Sequence, residues 1–263
     1  MRRRYTVALL GVSSVAAATM LLAPMAFAQD TGHDSRDIPA GYYDDADGKN
    51  GPELKAALHT IISKMDTLTY DEVKDAIKDT DADPAKPGNI IELYSGNSVA
   101  FTDGSWNREH VWAKSHGDFG TKVGPGTDLQ HLRPADMVVN STRNNLDFDN
   151  GGEPVNGAPD CKYDSDSFEP RDEVKGDVAR MILYMAVRYD GDDGFADLEP
   201  NDDVNNGSKP NIGRLSVLEA WSAQDPPSDF EKNRNDVIYD KYQHNRNPFI
   251  DHPEWVESIW PTS

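Results

Sequence analysis

Trp106-Asn107-Arg108-Glu109-His110-Val111-Trp112, followed by Asp128-Leu129-Gln130-His131-Leu132-Arg133-Pro134 and by Val138-Val139-Asn140-Ser141-Thr142-Arg143-Asn144-Asn145, is the part of this 263-residue chain that decides its reading. It brings together an imidazole, a neighbouring carboxylate, a carboxamide thirty residues on, and three arginines. Cleaving a phosphodiester requires a base to deprotonate water, a cation to stabilise charge on the phosphorane, help for the leaving oxygen, and a grip on adjacent phosphates. These residue types suit that list. An unperturbed imidazole titrates near pH ~6.5, so His110 suits the base. Glu109 and Asn140 offer a few oxygen donors, which suits a hard ion such as Mg²⁺ that keeps several waters. Arg108, Arg133 and Arg143 suit phosphate through bidentate hydrogen bonds. Taken singly, each residue has a blander reading. Adjacent strand residues such as Glu109 and His110 normally point to opposite faces, and an isolated Asn is more often a cap or turn residue.

Outward from this stretch the pattern is mixed helix and strand. Pro52, Leu54, Ala57, Leu58, Ile61, Ile62 and Met65 recur at helical spacing, with Pro near the start, where its missing N–H costs nothing. Val73, Ala76 and Ile77 share a face and predict a short helix over 70–78; Ile90 to Tyr94 reads as a strand. A mostly buried helix is predicted over 174–189, and two more over 213–223 and 228–243, the last capped by Ser228. The acidic segments 149–173 and 190–211 read as turn-rich. The fold class is α+β.

The first residues read as a targeting segment. Met1 to Arg4 are basic, Val7 to Phe27 carry no charge, and Ala26-Phe27-Ala28 gives a small-residue cleavage pattern, so residues 1–28 are expected to be a secretory signal peptide. Residues 29–40 are expected to be a linker and 41–263 a single globular domain. No second apolar span follows, so a secreted protein without a membrane anchor is expected, extracellular or periplasmic according to the source, with a monomer as the default. Cys161 is the only cysteine, which excludes an internal disulfide and reads best as an inert buried thiol.

Together the motifs resemble the bacterial endonuclease I family of secreted and periplasmic nucleases. The resemblance rests on Arg-Glu-His-Val-Trp (108–112), Asp-Leu-x-His-Leu-x-Pro (128–134) and Val-Asn-Ser-x-Arg-x-Asn (139–145). Gly176-Asp177-Val178-Ala179-Arg180, Glu219-Ala220-Trp221 and Asn245 to Asp251 extend it, so it covers about residues 41 to 260 with the motifs in order. It implies a His-Me finger (ββα-metal motif) embedded in a mixed, helix-rich domain. It also implies His110 as general base, Glu109 and Asn140 as ligands of one Mg²⁺ (Mn²⁺ or Ca²⁺ as substitutes), and Asp128, His131, Asn144 and Asn145 as supporting residues. The implied activity is sequence-nonspecific cleavage of DNA, with RNA as a further substrate, to 5′-phosphate ends. The chain departs from the family pattern at Ala113, where many members have proline, and at Gln130, where histidine is common.

Charge sets a second expectation. Lys+Arg 26 against Asp+Glu 46 gives a formal charge of −20, too acidic for a general DNA-coating protein. Between Phe101 and Phe148, however, Arg108, Lys114, Lys122, Arg133 and Arg143 nearly balance Asp103, Glu109, Asp118, Asp128, Asp136 and Asp147. A near-neutral site inside an acidic body predicts activity that persists or rises with salt, because screening removes the long-range repulsion. The sequence lacks a mature nucleophile elbow and a His-Glu-x-x-His helix, which argues against an esterase or a zinc protease. Asp190-Gly191-Asp192-Asp193-Gly194 does not fit the spaced ligand loop of an EF-hand and reads as a solvated loop. The alternative function is a non-catalytic module that binds nucleic acid or Ca²⁺.

Overall fold

The computed structural model describes residues 38–261; the expected signal peptide and residues 29–37 of the expected linker lie outside the described residues. Among the described residues a short 3-10 turn (Asp44–Ala46) precedes two helices, α1 (Gly51–Ile62) and α2 (Tyr70–Thr80). A capping box fixes the start of α2: the Thr69 Oγ1 accepts from the Glu72 N–H, and Glu72 accepts from the Thr69 N–H at 2.7 Å. An antiparallel hairpin, β1 (Asn89–Ile91) with β2 (Ser98–Ala100), follows, so the strand predicted over 90–94 forms earlier and is shorter.

The next unit carries the motif residues. β3 (Trp106–His110) pairs antiparallel with β4 (Leu132–Asp136), Glu109 lying opposite Arg133 and His110 opposite Leu132. Asp136 ends β4 and starts α3 (Met137–Arg143), its carboxylate accepting from the N–H groups of Val138 (2.8 Å) and Val139 (3.0 Å). Pro134 lies within β4, and the helix carrying Asn140 begins at Met137.

The acidic segment 149–173, predicted as turns, contains strands. β5 (Asp147–Phe148), β6 (Glu153–Val155), β7 (Ala158–Tyr163) and β8 (Ser167–Glu169) form a four-stranded sheet in the order β5-β8-β7-β6. Its strands are too short for a convincing period-2 pattern. The central helix α4 (Lys175–Arg188) is buried on nearly every side, and a small parallel pair, β9 (Glu199–Pro200) and β10 (Asn211–Ile212), follows it. α5 (Leu215–Gln224), α6 (Asp229–Lys241), α7 (Pro248–Asp251) and α8 (Trp255–Ile259) close the chain. As expected, Ser228 caps α6, accepting from the Glu231 N–H at 3.2 Å.

Two apolar clusters hold the β3–β4 ribbon between them. In the larger, Met181, Ile182 and Met185 of α4 pack with Leu54 and Leu58 of α1, Trp221, Phe249, and Ala135 and Val139 at the β4–α3 junction. In the smaller, Val73 and Ile77 of α2 and Ile238 of α6 pack with Trp106, Leu129 and Leu132. The ribbon is therefore anchored from both sides, which suits a strand end that must present side chains in fixed positions. Cys161 is buried and unpaired; burial pushes its thiol up to about 11, so it remains an inert S–H.

Candidate active site

β3, α3 and the start of α2 enclose a cavity of about 720 Å³. Trp106 to His110 line one wall, Met137, Asn140, Ser141, Arg143 and Asn144 a second, and Tyr70 and Lys74 a third. Its charged lining is Lys74, Arg108, Lys114 and Arg143 against Glu109 alone. The fold thus gathers positive charge from separate segments into one concavity of a strongly acidic protein.

Strand alternation fails where it needs to. Glu109 and His110 are consecutive, yet both are buried and both line the cavity, because β3 ends at His110 and the chain bends at Val111. The His110 Nε2 lies 3.0 Å from the Gly126 carbonyl oxygen. A carbonyl only accepts, so Nε2 carries the ring proton and Nδ1 is left as a base. Burial, with His131 beside it, holds the His110 imidazole well below its ordinary pKa, and the ring is neutral at neutral pH. Tyr70 stacks on His110 with ring centres 5.8 Å apart, and the Arg108 guanidinium lies 3.5 Å from the centre of the Tyr70 ring.

The two oxygen donors are also fixed. The Glu109 Oε1 accepts from the Tyr94 hydroxyl at 2.6 Å and is paired with the Arg143 Nη1 at 3.2 Å. Burial raises the Glu109 carboxyl pKa, while Arg143 and the Tyr94 hydroxyl oppose that rise. The Asn140 Nδ2 donates to the Asn107 Oδ1 at 2.6 Å, so its carbonyl oxygen is left over for another partner. Both side chains line the same cavity.

The structure separates the three arginines. Arg108 lines the cavity and is only partly buried. Arg143 reaches the cavity, but its guanidinium is engaged by the His110 carbonyl (3.0 Å), the Val111 carbonyl (2.6 Å) and Glu109. Arg133, expected at a phosphate, lies elsewhere. It is fully buried, outside the cavity lining, and pairs with Asp81 at the end of α2 and with Asp177 of α4.

Supporting residues fall into two groups. His131 sits edge-on to His110 with ring centres 5.6 Å apart; its Nδ1 accepts from the Trp112 N–H and its Nε2 lies 2.7 Å from the Pro125 carbonyl. Consecutive carbonyls of the short 3-10 turn Pro125–Thr127 thus hold both histidines. Asn144, at φ +51° past the end of α3, and Asn145 line the cavity rim; the Asn145 carbonyl faces the His116 Nε2 at 2.9 Å. Asp128 is absent from the cavity lining and forms a buried hub that accepts from the hydroxyls of Tyr184 (2.9 Å) and Tyr189 (3.0 Å) and from Gln243. Gln130 is buried against Asn235, away from the cavity lining, so this family departure leaves the cavity wall unchanged.

Sequence reasoning missed Tyr70, Lys74, Tyr94 and Asn107 as site residues. Only Asn107, inside the quoted motif, carried a local signal. A second titratable cluster, His59, Asp190 and Asp192, joins α1 to the acidic loop, with ligand-type atoms within 4.8 Å of one another. The His59 Nδ1 is 2.8 Å from the Val187 carbonyl and its Nε2 3.2 Å from Asp192.

Among the described residues, no helix is long and apolar enough to cross a membrane. The chain is 61% identical over 225 residues to the extracellular ribonuclease of Bacillus subtilis, covering 84% of this chain and 78% of that protein. It is also 61% identical to the Bacillus amyloliquefaciens extracellular ribonuclease over 224 residues, covering 83% and 78%. A more distant likeness, 30% over 129 residues, links it to an extracellular deoxyribonuclease of Aeromonas hydrophila, with 47% of this chain and 48% of that protein covered. The family model described as Endonuclease I matches residues 50–254, and the cavity enclosed by β3, α3 and the start of α2 lies wholly within that span: the chain belongs to the endonuclease I family of nucleases.

Proposed function

We propose that this protein is an exported, Mg²⁺-dependent endonuclease that hydrolyses phosphodiester bonds of DNA and RNA with little base selectivity, leaving 5′-phosphate ends. The observation that carries this reading is the convergence in one cavity of a neutral imidazole with a bare Nδ1 and of two fixed side chains that each keep an oxygen uncommitted. In this reading β3, β4 and α3 are the two strands and helix of a His-Me finger.

The donor set fits a hard divalent ion. Tyr94 and Arg143 occupy the Glu109 Oε1 and Asn107 occupies the Asn140 amide nitrogen, so Glu109 Oε2 and Asn140 Oδ1 remain. These two oxygens would hold Mg²⁺, with Mn²⁺ or Ca²⁺ as substitutes, and the ion when bound neutralises charge at the phosphate and the departing oxygen. His110 takes a proton from water at Nδ1 while Gly126 holds its Nε2–H. Its depressed proton affinity keeps the base form populated at neutral pH. Arg108, braced by the Tyr70 ring, grips a phosphate oxygen, and Lys74 and Lys114 extend the positive wall along the strand of substrate. Arg143 acts within the protein, tying the end of α3 to the His110–Val111 bend.

Water as the nucleophile leaves the ribose 2′-hydroxyl idle, so RNA and DNA are both substrates. The relatives named ribonuclease and deoxyribonuclease support the same breadth. Contacts to phosphate and sugar carry no sequence information, which supports low base selectivity. The relatives named extracellular and the basic-apolar start of the chain support export. End analysis of a cleaved RNA oligonucleotide tests this reading. Expected products carry 5′-phosphate and 3′-hydroxyl ends; 2′,3′-cyclic phosphates would mean attack by the 2′-hydroxyl and would overturn it.

A further inference from the structure

Tyr94 lies outside every motif that marks the site, yet its hydroxyl makes the shortest hydrogen bond given to Glu109, 2.6 Å to Oε1. The residue is 1% exposed, and its ring packs on Phe168 with centres 4.8 Å apart. The Tyr94 carbonyl accepts from the Cys161 S–H at 3.3 Å, so the backbone is tied to β7 as well. A phenol held this firmly has little freedom to follow a moving partner; the carboxylate must come to it.

The second contact to the same oxygen is equally constrained. Arg143 reaches the Glu109 Oε1 at 3.2 Å while its two terminal nitrogens are held by the carbonyls of His110 and Val111. Its guanidinium also lies 4.8 Å from the centre of the Phe148 ring. Two donors arriving from different elements thus use up Oε1, and the torsion of the carboxylate about its last bond is set. Only Oε2 is left for a partner in the cavity.

We propose that Tyr94 is a positioning residue for the metal site: its hydroxyl locks the Glu109 carboxylate in the single orientation that presents Oε2 to a divalent cation. The inference rests on Glu109 being a metal ligand, as proposed above. Partners behind a ligand are worth about 10- to 100-fold in metal affinity when removed. Tyr94→Phe keeps the ring on Phe168 and removes only the hydroxyl. It leaves Oε1 with Arg143 alone, so the carboxylate can swing and offer the cation a poorer geometry.

Mn²⁺ binding to the full chain without nucleic acid, followed by the electron paramagnetic resonance signal of free Mn²⁺, tests the proposal. Wild type, Glu109→Gln and Tyr94→Phe are titrated at one pH, and the site considered is the one lost in Glu109→Gln. Tyr94→Phe is expected to weaken that site by about 10- to 100-fold with unchanged stoichiometry. A merely structural role would lower the fraction of protein able to bind and leave the dissociation constant where it was, so the two effects separate even if the variant unfolds in part. Binding by Tyr94→Phe as tight as by wild type, with Glu109→Gln deficient, overturns the role of Tyr94 and leaves Glu109 as ligand. Binding by Glu109→Gln as tight as by wild type overturns the ligand assignment and this inference with it. The metal dependence of cleavage gives a second check: half-saturating Mg²⁺ should rise by the same factor.

Discussion

The His110 Nε2 sits 3.0 Å from the carbonyl oxygen of Gly126, sixteen residues downstream, and this contact decides which ring nitrogen carries the proton. Gly126 has no room to change. A Cβ there would lie 2.7 Å from the Gly120 carbonyl oxygen and 2.9 Å from the Thr121 Cα, so a side chain would push the turn away from the histidine. Gly126→Ala should therefore lower kcat by about 100-fold, the scale of a 1 Å misplacement, with little change in KM or in Mn²⁺ affinity. Steady-state cleavage of a short labelled duplex checks this; an unchanged kcat would show that the carbonyl does not set the working tautomer.

His131 supplies a pH prediction about the fold. Burial pushes its imidazole down to about 3, so it stays neutral in the folded protein, whereas the unfolded chain takes up a proton near 6.5. Between those values the unfolded state holds the extra proton, and stability falls as the pH drops below 6.5. Each pH unit in that window costs about 1.4 kcal/mol for this one group. Urea unfolding at pH 7.5 and 5 should show the loss, and His131→Gln, whose amide can still donate to Pro125, should show a slope shallower by about one proton. An identical slope in the variant would mean that other groups govern acid unfolding.

The arginines should separate by phenotype. Arg133 is buried with Asp81 and Asp177, and removing one partner of such a group is worth about 3–5 kcal/mol. Arg133→Ala is expected to unfold at much lower denaturant concentration. Arg108→Ala should leave the unfolding midpoint within experimental scatter and raise KM by about tenfold, the loss of one charge-assisted phosphate contact. A stable Arg133→Ala protein with a raised KM would place Arg133 at substrate after all.

Salt acts on this molecule in two opposed ways. The −20 body repels nucleic acid at long range, while Lys74, Arg108 and Lys114 attract phosphate inside the cavity. Raising salt to ~1 M shortens the Debye length to ~3 Å and removes the repulsion, but it also weakens the contacts. Cleavage should therefore change little between ~0.1 and ~1 M salt. Lys74→Ala should reduce the magnitude of the KM salt slope by about one contact. A steep wild-type loss above physiological ionic strength would contradict the balance.

What the sequence made legible was local. The order Glu109-His110 and the helix residue Asn140 could be picked out because motif residues close in sequence share one strand and one short helix. The helices were legible for the same reason: Val73, Ala76 and Ile77, or Met181, Ile182 and Met185, repeat on a period that needs no partner to be seen. Tyr94 and Tyr70 were not legible, since each reads as an ordinary strand or helix residue until the fold brings it against Glu109 or His110. Arg133 was misplaced because its partners Asp81 and Asp177 lie 52 and 44 residues away in sequence. The sheet β5-β8-β7-β6 escaped because strands of two to six residues, interrupted by Pro, Asp and Glu, look like turns until they pair.

The central claim is metal-dependent hydrolysis with His110 as base, and nicking of supercoiled plasmid by purified protein tests it most directly. Wild type and His110→Ala are compared in Mg²⁺ and in EDTA. Nicking should occur with wild type in Mg²⁺, vanish in EDTA, and fall by about 100- to 10,000-fold in His110→Ala, the range for losing a general base. Nicking by His110→Ala at the wild-type rate would contradict the account. A folded wild type that shifts plasmid on a gel without nicking it would point instead to a binding module.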